Sequence, residues 1–496
     1  MKDTMKISKL LEGVNHIVIN GNNDIEVTNI SRNSKEIKDK GLFFCIKGLN
    51  VDGHKFAKSA IENGAAALIV QDDITEDLKA VLNDNIAVIK VENTRRAMPY
   101  ISANFYEKPA EDLKVIAIVG TKGKTTTAFM IRDVLEKAGH KVGLMGTIFV
   151  DDGESVKSSG FTTPEADDLH KYLYNMRKNG CEFVVMEVSS QSFLMHRSDG
   201  IVFDLAIFTN ISEDHIGQGE HKDFDDYFNC KKGLLKQAKR LVFNADADFI
   251  DKMVGDIEVE KLSFSAKKPS NYIADKISLI RKNDSLGVYF TANDKPYELS
   301  LPGEHNVHNA LAAIAVGDIY DVPYEIVFDA LQNIRISGRM EMIDYSDKFV
   351  LLIDYAHNAM SLDSSLKVLR KYNPARLICL FGCGGNRAKD RRFSMGEASG
   401  KLADLTIATS DNPRFEEPDA IIDDIIEGLK HTTGEFIRIT DRKEAIKYAL
   451  DNAKKGDIVL LAGKGHETYQ EIKGVKYPMD ERVIISELKD VCMGNS

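Results

Sequence analysis

The chain is short of several things, and each shortage excludes something. Its 496 residues include only six cysteines, Cys45, Cys181, Cys230, Cys379, Cys383 and Cys492. None has a paired metal-ligand spacing. Cys379 and Cys383 are four apart, but they bracket a strand end and a glycine loop, where packing is the ordinary role. So few thiols in so long a chain suit a reducing compartment. No apolar run approaches the roughly 18 residues of a membrane-spanning helix. The opening MKDTMKISKLLEGV lacks the long apolar core of a secretion signal. Positive charge is outnumbered: the net charge of −11 argues against nucleic acid as the main partner. There is no internal repeat and no low-complexity tract. What remains is an ordinary globular composition, 43% hydrophobic and 28% charged, with the length of about three domains and the expected address of the cytoplasm.

What is present is concentrated in VIAIVGTKGKTTTAFMIRDVLEKAGH, residues 115–140. Val115–Val119 is an apolar run of strand type. Gly120, Thr121, Lys122 and Gly123 form a glycine-interrupted turn that ends in Lys124, Thr125 and Thr126. Ala128, Ile131, Leu135 and Ala138 then recur at helical spacing, with Gly139 as a stop. Strand, glycine loop and helix together make the context of a phosphate-binding loop. Backbone N–H groups approach the phosphate oxygens, and the helix N-terminus adds a favourable dipole. Lys124 can reach the terminal phosphates and Thr125 can ligate magnesium. The general pattern has a glycine five residues before Gly123, where this chain has Ile118. A tight turn with an incidental lysine is the bland account, and the flanking strand and helix speak against it. The loop implies a bound nucleoside triphosphate.

Three regions follow from the apolar pattern. Residues 1–110 read as a mixed α/β domain, with strands at 42–48 and 65–71 around a helix at 54–64. Residues 111–336 alternate strands and helices, with EFVVMEVSS (182–190), FDLAIFTNIS (203–212) and KRLVFNAD (239–246) as strands, which predicts a mainly parallel sheet. Within that span, 272–303 reads as an antiparallel patch and 305–320 as a helix. Residues 337–496 give four more buried strands, in 348–357, 375–385, 403–413 and 457–465, each ending in glycine, aspartate, asparagine or histidine. In open α/β sheets ligands sit at such carboxyl ends.

Other residues at strand ends have the right chemistry. Glu187 in MEVSS can hold magnesium beside a triphosphate, or be a salt-bridged acid; alone, the two readings weigh equally. Asp214 and His215 follow another strand, and histidine is a common metal ligand as well as a common surface residue. Asp354 and His357 in DYAH, Arg387 in GCGGNR, Asn412 and Arg414 in DNPR, and Glu467 in GKGHE place arginine and carboxylate together, as a zwitterionic amino acid requires. Each of these taken singly could be a solvated loop tip.

In order and spacing, GTKGKTTT, TTPE (162–165), EVSS, NISEDH, HNVHNALAA, SGRME (337–341), DYAH, GCGGNR, DNPR and AGKGHE resemble the motifs of the Mur ligase family, over nearly the whole chain. The likeness is strongest to the branch that makes the tripeptide. The resemblance implies a three-domain α/β architecture: an N-terminal UDP-sugar-binding domain, a central P-loop ATPase domain and a C-terminal Rossmann-like domain that binds the amino acid. It implies an ATP- and magnesium-dependent, monomeric amide ligase that acts on UDP-N-acetylmuramoyl-L-alanyl-D-glutamate through an acyl phosphate.

Carried over residue by residue, the resemblance assigns roles as follows. Ser34, Leu49, Asn50 and Val51 would hold the UDP end, and Thr162, Thr163, Ser189, Met195 and Arg197 the muramoyl-dipeptide. ATP would meet the residues of the loop, Gly120 to Thr126, together with Asn306, Arg339, Asp354 and His357. Lys124, Glu187, His215 and a carbamylated Lys231 would serve catalysis, with Thr125, Glu187, His215 and Lys231 around the metal. Lys232 lies beside Lys231, so the register there is open. Arg387, Asp411, Asn412, Pro413, Arg414, Gly463 and Glu467 would take the incoming amino acid. The DNPR form of its motif goes in this family with meso-diaminopimelate; L-lysine is the alternative.

The sequence departs from the family at Phe161, at Met195 and at Asn358-Ala359 after DYAH, so a paralogue that adds a different amino acid is conceivable. A folylpolyglutamate synthetase would make an amide by the same chemistry, but its loop ends Gly-Lys-Gly-Ser and it has no counterpart to DNPR. A nucleotide-dependent binding module would need no amino-acid pocket.

Overall fold

The structure is a computed structural model that describes residues 4–48, 51–217 and 219–494, with side chains as far as 490. The chain divides into two compact units. One comprises the residues up to Tyr272 with Ala312–Pro323; the other comprises Ile273–Leu311 with the chain from Tyr324 onward.

The first unit contains two sheets. The N-terminal one has the order Ile17–Asn20, Ala87–Lys90, Ala65–Val70, Gly41–Phe44, Asn29–Ser31; its first pair is antiparallel and the rest parallel. Strand alternation divides its apolar residues between two faces. Leu42, Phe44, Ala67 and Ile69 pack with Leu10, Met98 and Ile101 on one side. Phe43, Leu68 and Val70 pack with Ala57 and Ala60 on the other. The helix expected over 54–64 is a 3-10 turn at Gly53–Phe56 that runs into the α-helix Ala57–Glu62.

The second sheet of this unit carries the phosphate loop. Its parallel strands run in the order Val142–Met145, Phe183–Val188, Lys114–Val119, Leu205–Phe208, Arg240–Asn244, Glu260–Ser265. Phe149–Asp151 and Val156–Ser158 extend one edge in antiparallel fashion. Val115–Val119 is wholly buried, as an interior strand covered on both faces must be. Because Phe183–Val188 and Leu205–Phe208 flank it in parallel, all three carboxyl ends open on the same edge. The strands are shorter than the apolar runs suggested, because the flanking residues Thr209–Ser212 and Ser189–Ser190 leave the sheet to build the site.

In the second unit a six-stranded sheet has the order Glu341–Ile343, Val350–Asp354, Ile458–Ala462, Leu377–Phe381, Leu405–Ala408, Glu435–Arg438, antiparallel only at the first pair. The four interior strands are those the apolar runs mark. The two edge strands were not legible, since an edge needs no apolar run and Glu435–Arg438 stays largely exposed. The residues read as an antiparallel patch form a meander of Tyr272–Arg281, Leu286–Ala292 and Lys295–Leu299, and the helix Asn306–Ile319 follows. The architecture is therefore the expected three-domain α/β one, with mainly parallel sheets that each carry their own apolar core.

Candidate active site

The phosphate loop is fixed by the strand beside it. The Thr121 N–H donates to the Asn210 carbonyl (3.0 Å) and the Lys122 N–H to Asn210 Oδ1 (2.9 Å). Thr209 Oγ1 and Asn210 Nδ2 both donate to the Lys122 carbonyl, at 2.8 and 3.0 Å. Glycine is required at 120, since a Cβ there would lie 1.9 Å from Thr209 Oγ1. Gly123 opens the helix Lys124–Lys137 at φ +84°, a left-handed conformation that glycine adopts without steric cost. Lys124 Nζ donates to the Gly120 and Thr121 carbonyls at 2.8 and 3.0 Å, so its charge rests over the loop.

Glu187 comes from the strand on the other side. It is 2% exposed, and its carboxylate accepts from Thr125 Oγ1 (2.9 Å), the Thr147 N–H (2.8 Å) and Thr147 Oγ1 (3.1 Å). Thr147 Oγ1 also meets Thr162 Oγ1 at 3.1 Å, and Thr163 Oγ1 donates to the Glu187 carbonyl at 3.0 Å. The Ser189 N–H donates to Thr163 Oγ1 at 3.0 Å. Arg197 closes the group, bonded to Glu165 Oε1 (2.8 Å) and the Thr163 carbonyl (3.0 Å) and stacked over Phe161. The TTPE, EVSS and phosphate-loop residues thus form one polar network, with Met195 half-buried just after the helix Ser190–Leu194.

The helix Phe224–Leu235 settles which lysine faces the loop. Lys231 is 1% exposed; its Nζ donates to the Gly120 carbonyl at 2.8 Å and lies 4.5 Å from the Tyr227 ring centroid. Lys232 points away, paired with Asp256 at 2.6 Å. Burial holds the Lys231 amine well below its ordinary pKa; nearby Lys124 pushes it the same way, against an upward pull from Asp214. Tyr227 OH meets Thr121 Oγ1 at 2.8 Å, a contact between segments far apart in the chain that no local pattern marks. His215 is about half exposed and meets Glu220 at 3.2 Å. His221 is fully buried between Ser190 Oγ (2.8 Å) and Asp226 Oδ2 (3.0 Å), and sequence reasoning passed over it too.

Of the residues assigned to the UDP end, Ser34 opens a 3-10 turn capped by Asn33, and Val51 is exposed. Leu49 and Asn50 lie outside the described residues.

In the second unit the strand-end loops meet each other. Asp354 is buried, accepting from the Met340 N–H (2.8 Å), the Ala356 N–H (2.9 Å) and Ser365 Oγ (3.2 Å); burial raises its pKa. Arg339 stacks over Tyr355, and His357 Nδ1 meets the Tyr355 carbonyl at 2.8 Å. Asn306 is buried and bonds the Pro302 carbonyl at 2.9 Å. Arg482 ties Glu341, Ser337 and the Gly465 carbonyl together, a role not foreseen in the sequence.

The DNPR loop packs on the GCGG loop so closely that a Cβ at Gly385 would lie 2.0 Å from the Pro413 carbonyl. Asn412 Nδ2 donates to Glu467 Oε2 at 2.9 Å, and Asp411 Oδ1 accepts from the Asn412 N–H. A Cβ at Gly463 would stand 3.0 Å from Asp411 Oδ2. Lys464, fully buried, bonds both Asn412 Oδ1 and Glu467 Oε2 at 2.9 Å, and the sequence reading had overlooked it. Arg414 Nη1 donates to the Gly385 carbonyl at 2.7 Å. Arg387 is not at a strand end as expected. It is exposed in the stretch between Leu377–Phe381 and the helix Asp390–Leu402, because the glycine loop carries the chain away from the sheet first.

Comparison with known proteins agrees with this arrangement. Residues 26–106 match the Mur ligase family, catalytic domain; 118–317 match the Mur ligase middle domain; 338–465 match the Mur ligase, glutamate ligase domain. A protein of Caldanaerobacter subterraneus subsp. tengcongensis named UDP-N-acetylmuramoyl-L-alanyl-D-glutamate--2,6-diaminopimelate ligase is 41% identical over 489 residues, 98% of this chain and 99% of that one. One of the same name from Clostridium tetani is 38% identical over 491 residues, again 98% and 99%. A solved structure of a ligase of that name superposes with a TM-score of 0.69 at 26% identity, covering 99% of each chain.

Proposed function

The chain belongs to the Mur ligase family, and on that premise we propose that it is the ATP-dependent ligase that joins meso-2,6-diaminopimelate to UDP-N-acetylmuramoyl-L-alanyl-D-glutamate in peptidoglycan precursor synthesis. The observation that carries this reading is full-length similarity to relatives of that name, together with a phosphate loop whose Thr125 is bonded to a buried carboxylate. The three functional blocks are 1–110 for the UDP-sugar, 111–336 for ATP and 337–496 for the amino acid. A monomeric cytoplasmic enzyme fits these water-soluble substrates, and among the described residues no helix is long and apolar enough to cross a membrane.

The reaction has two steps. The γ-carboxylate of D-glutamate attacks the γ-phosphorus of ATP, the bond to the bridging oxygen breaks, and ADP leaves. The amine of diaminopimelate then attacks the acyl phosphate carbon, expelling phosphate and losing a proton. Attacker and triphosphate are both anionic, so Lys124 and the loop N–H groups serve by stabilising charge at the transferring phosphate. The donors Thr125 Oγ1 and Glu187 are oxygens, as a hard cation prefers; with His215 and a carbamylated Lys231 they would hold magnesium. Magnesium would supply further charge neutralisation at the phosphates. A carbamate forms only on an unprotonated amine, and the lowered pKa of Lys231 favours that form. Thr162, Thr163, Ser189, Met195 and Arg197 bind the muramoyl-dipeptide, and Ser34, Leu49, Asn50 and Val51 its UDP end. Asn306, Arg339, Asp354 and His357 are assigned to ATP as well. Arg387, Asp411, Asn412, Pro413, Arg414, Gly463 and Glu467 orient the amino acid, so that binding replaces a chance encounter. The test is ADP release measured with each substrate omitted in turn. Release that needs neither the muramoyl-dipeptide nor an amino acid would overturn the ligase assignment.

A further inference from the structure

Meso-diaminopimelate differs from lysine by a second carboxylate at its far end, and in the ligase reading the Arg414 guanidinium is the group suited to pair with it. In the structure a carboxylate of the protein already stands beside that guanidinium. Glu471 Oε2 lies 3.2 Å from Arg414 Nε, and both side chains are about one-quarter exposed. The contact is built into the backbone. The Arg414 N–H donates to the Glu471 carbonyl at 3.0 Å, the Glu471 N–H to Asn412 Oδ1 at 2.9 Å, and the Lys473 N–H to the Arg414 carbonyl at 2.6 Å. Glu471 lies in a hairpin of Tyr469–Ile472 and Val475–Pro478, whose first strand is anchored by Lys464 Nζ on the Tyr469 carbonyl. Arg414 itself sits at φ +53°, a conformation that costs a non-glycine residue energy and that these bonds hold in place. The hairpin therefore clamps the DNPR loop and delivers its own carboxylate to the guanidinium.

From this geometry we propose that Glu471 is a specificity-determining residue, which narrows the preference for a distal carboxylate that Arg414 supplies. The proposal rests on the ligase reading above. A site built around an arginine rejects lysine chiefly because lysine leaves a desolvated guanidinium without a partner. Glu471 gives Arg414 a partner that is always there, so lysine no longer strands it. With meso-diaminopimelate bound, the same carboxylate competes with the substrate's own for the guanidinium fork. Each effect lowers the ratio of diaminopimelate use to lysine use.

The experiment measures kcat and KM for meso-diaminopimelate and for L-lysine by ADP release, with saturating ATP and UDP-muramoyl-dipeptide, in wild type, Glu471→Gln, Arg414→Ala and the double variant. Glutamine keeps the size and the backbone bonds while removing the charge. Glu471→Gln is expected to raise the diaminopimelate-to-lysine ratio of kcat/KM about fivefold or more. The change should fall in the amino-acid KM, with kcat and the KM for ATP unmoved, and should vanish in the Arg414→Ala background. An unchanged ratio, or an equal change without Arg414, overturns the role of Glu471 and leaves the ligase assignment standing. Wild type that releases no ADP with either amino acid overturns both.

Discussion

Lys231 donates from Nζ to the Gly120 carbonyl at 2.8 Å, across 111 residues of sequence, and so places a nearly solvent-free amine against the first residue of the phosphate loop. Its neighbour Lys232 bonds Asp256 at the surface instead. If Lys231 carries the metal-binding carbamate, Lys231→Ala is nearly inactive and short carboxylic acids partly restore ADP release. Lys231→Arg is equally dead, since a guanidinium does not form that adduct, while Lys232→Ala keeps near-normal activity. A fully active Lys231→Arg would end the carbamate assignment, and a dead Lys232→Ala would move it by one residue.

Lys124 brings its positive charge to the loop, held there by the Gly120 and Thr121 carbonyls. Lys124→Ala is expected to fold normally and to lose on the order of 10²–10³ in kcat, or more, as removal of a charge-stabilising group does. Circular dichroism and ADP release on one preparation check this. Turnover near wild type in a folded variant would contradict the phosphate-loop role.

Gly120→Ala tests the cradle around the loop. The added Cβ falls on Thr209 Oγ1, and a hydroxyl on a β-branched side chain has little room to yield. Nucleotide affinity should drop strongly in the single variant and recover in part in Gly120→Ala/Thr209→Ala, which removes the clashing oxygen. Equal ATP binding by wild type and Gly120→Ala in calorimetry would show that the loop is not held as described.

Arg414 sets the choice of amino acid. Wild type should prefer meso-diaminopimelate to L-lysine in kcat/KM, and Arg414→Ala should collapse that preference, mainly by losing diaminopimelate use. Equal or better use of lysine by wild type would refute the diaminopimelate assignment and spare the rest of the mechanism.

His170 gives a pH dependence of stability. It is buried on the helix Ala166–Lys178 with no hydrogen-bond partner at either ring nitrogen, and burial lowers its pKa from 6.5 to about 4. Between those values the unfolded chain takes up the proton and the folded one does not. The contribution is therefore complete above the unfolded pKa and is lost as pH falls toward the folded one, up to about 3 kcal/mol in all. His170→Leu should leave Tm at neutral pH unchanged or higher and flatten its fall on acidification. An identical acid profile for the two proteins would show that His170 does not contribute.

The sequence by itself determined the elements and their chemistry at short range. The strand, glycine loop and helix over 115–140 were legible because helical and strand periodicities are local properties of the chain. So were the four interior strands of the last 160 or so residues, whose apolar runs reflect burial on both faces. Motif order then pointed to the family, and with it to Glu187, Lys231 and Arg414. What only the tertiary structure decided is how distant segments meet at one edge of a sheet. Thr209 and Asn210 hold the loop because their strand is the parallel neighbour of Lys114–Val119, and strand order is not written in any local pattern. The choice of Lys231 over Lys232 depended on which face of the helix Phe224–Leu235 turns inward. Lys464, Arg482 and Glu471 went unread for the same reason: a charged residue in a loop reads as solvated until the fold brings its partner to it, and the free energy of that pairing exists only in the assembled structure.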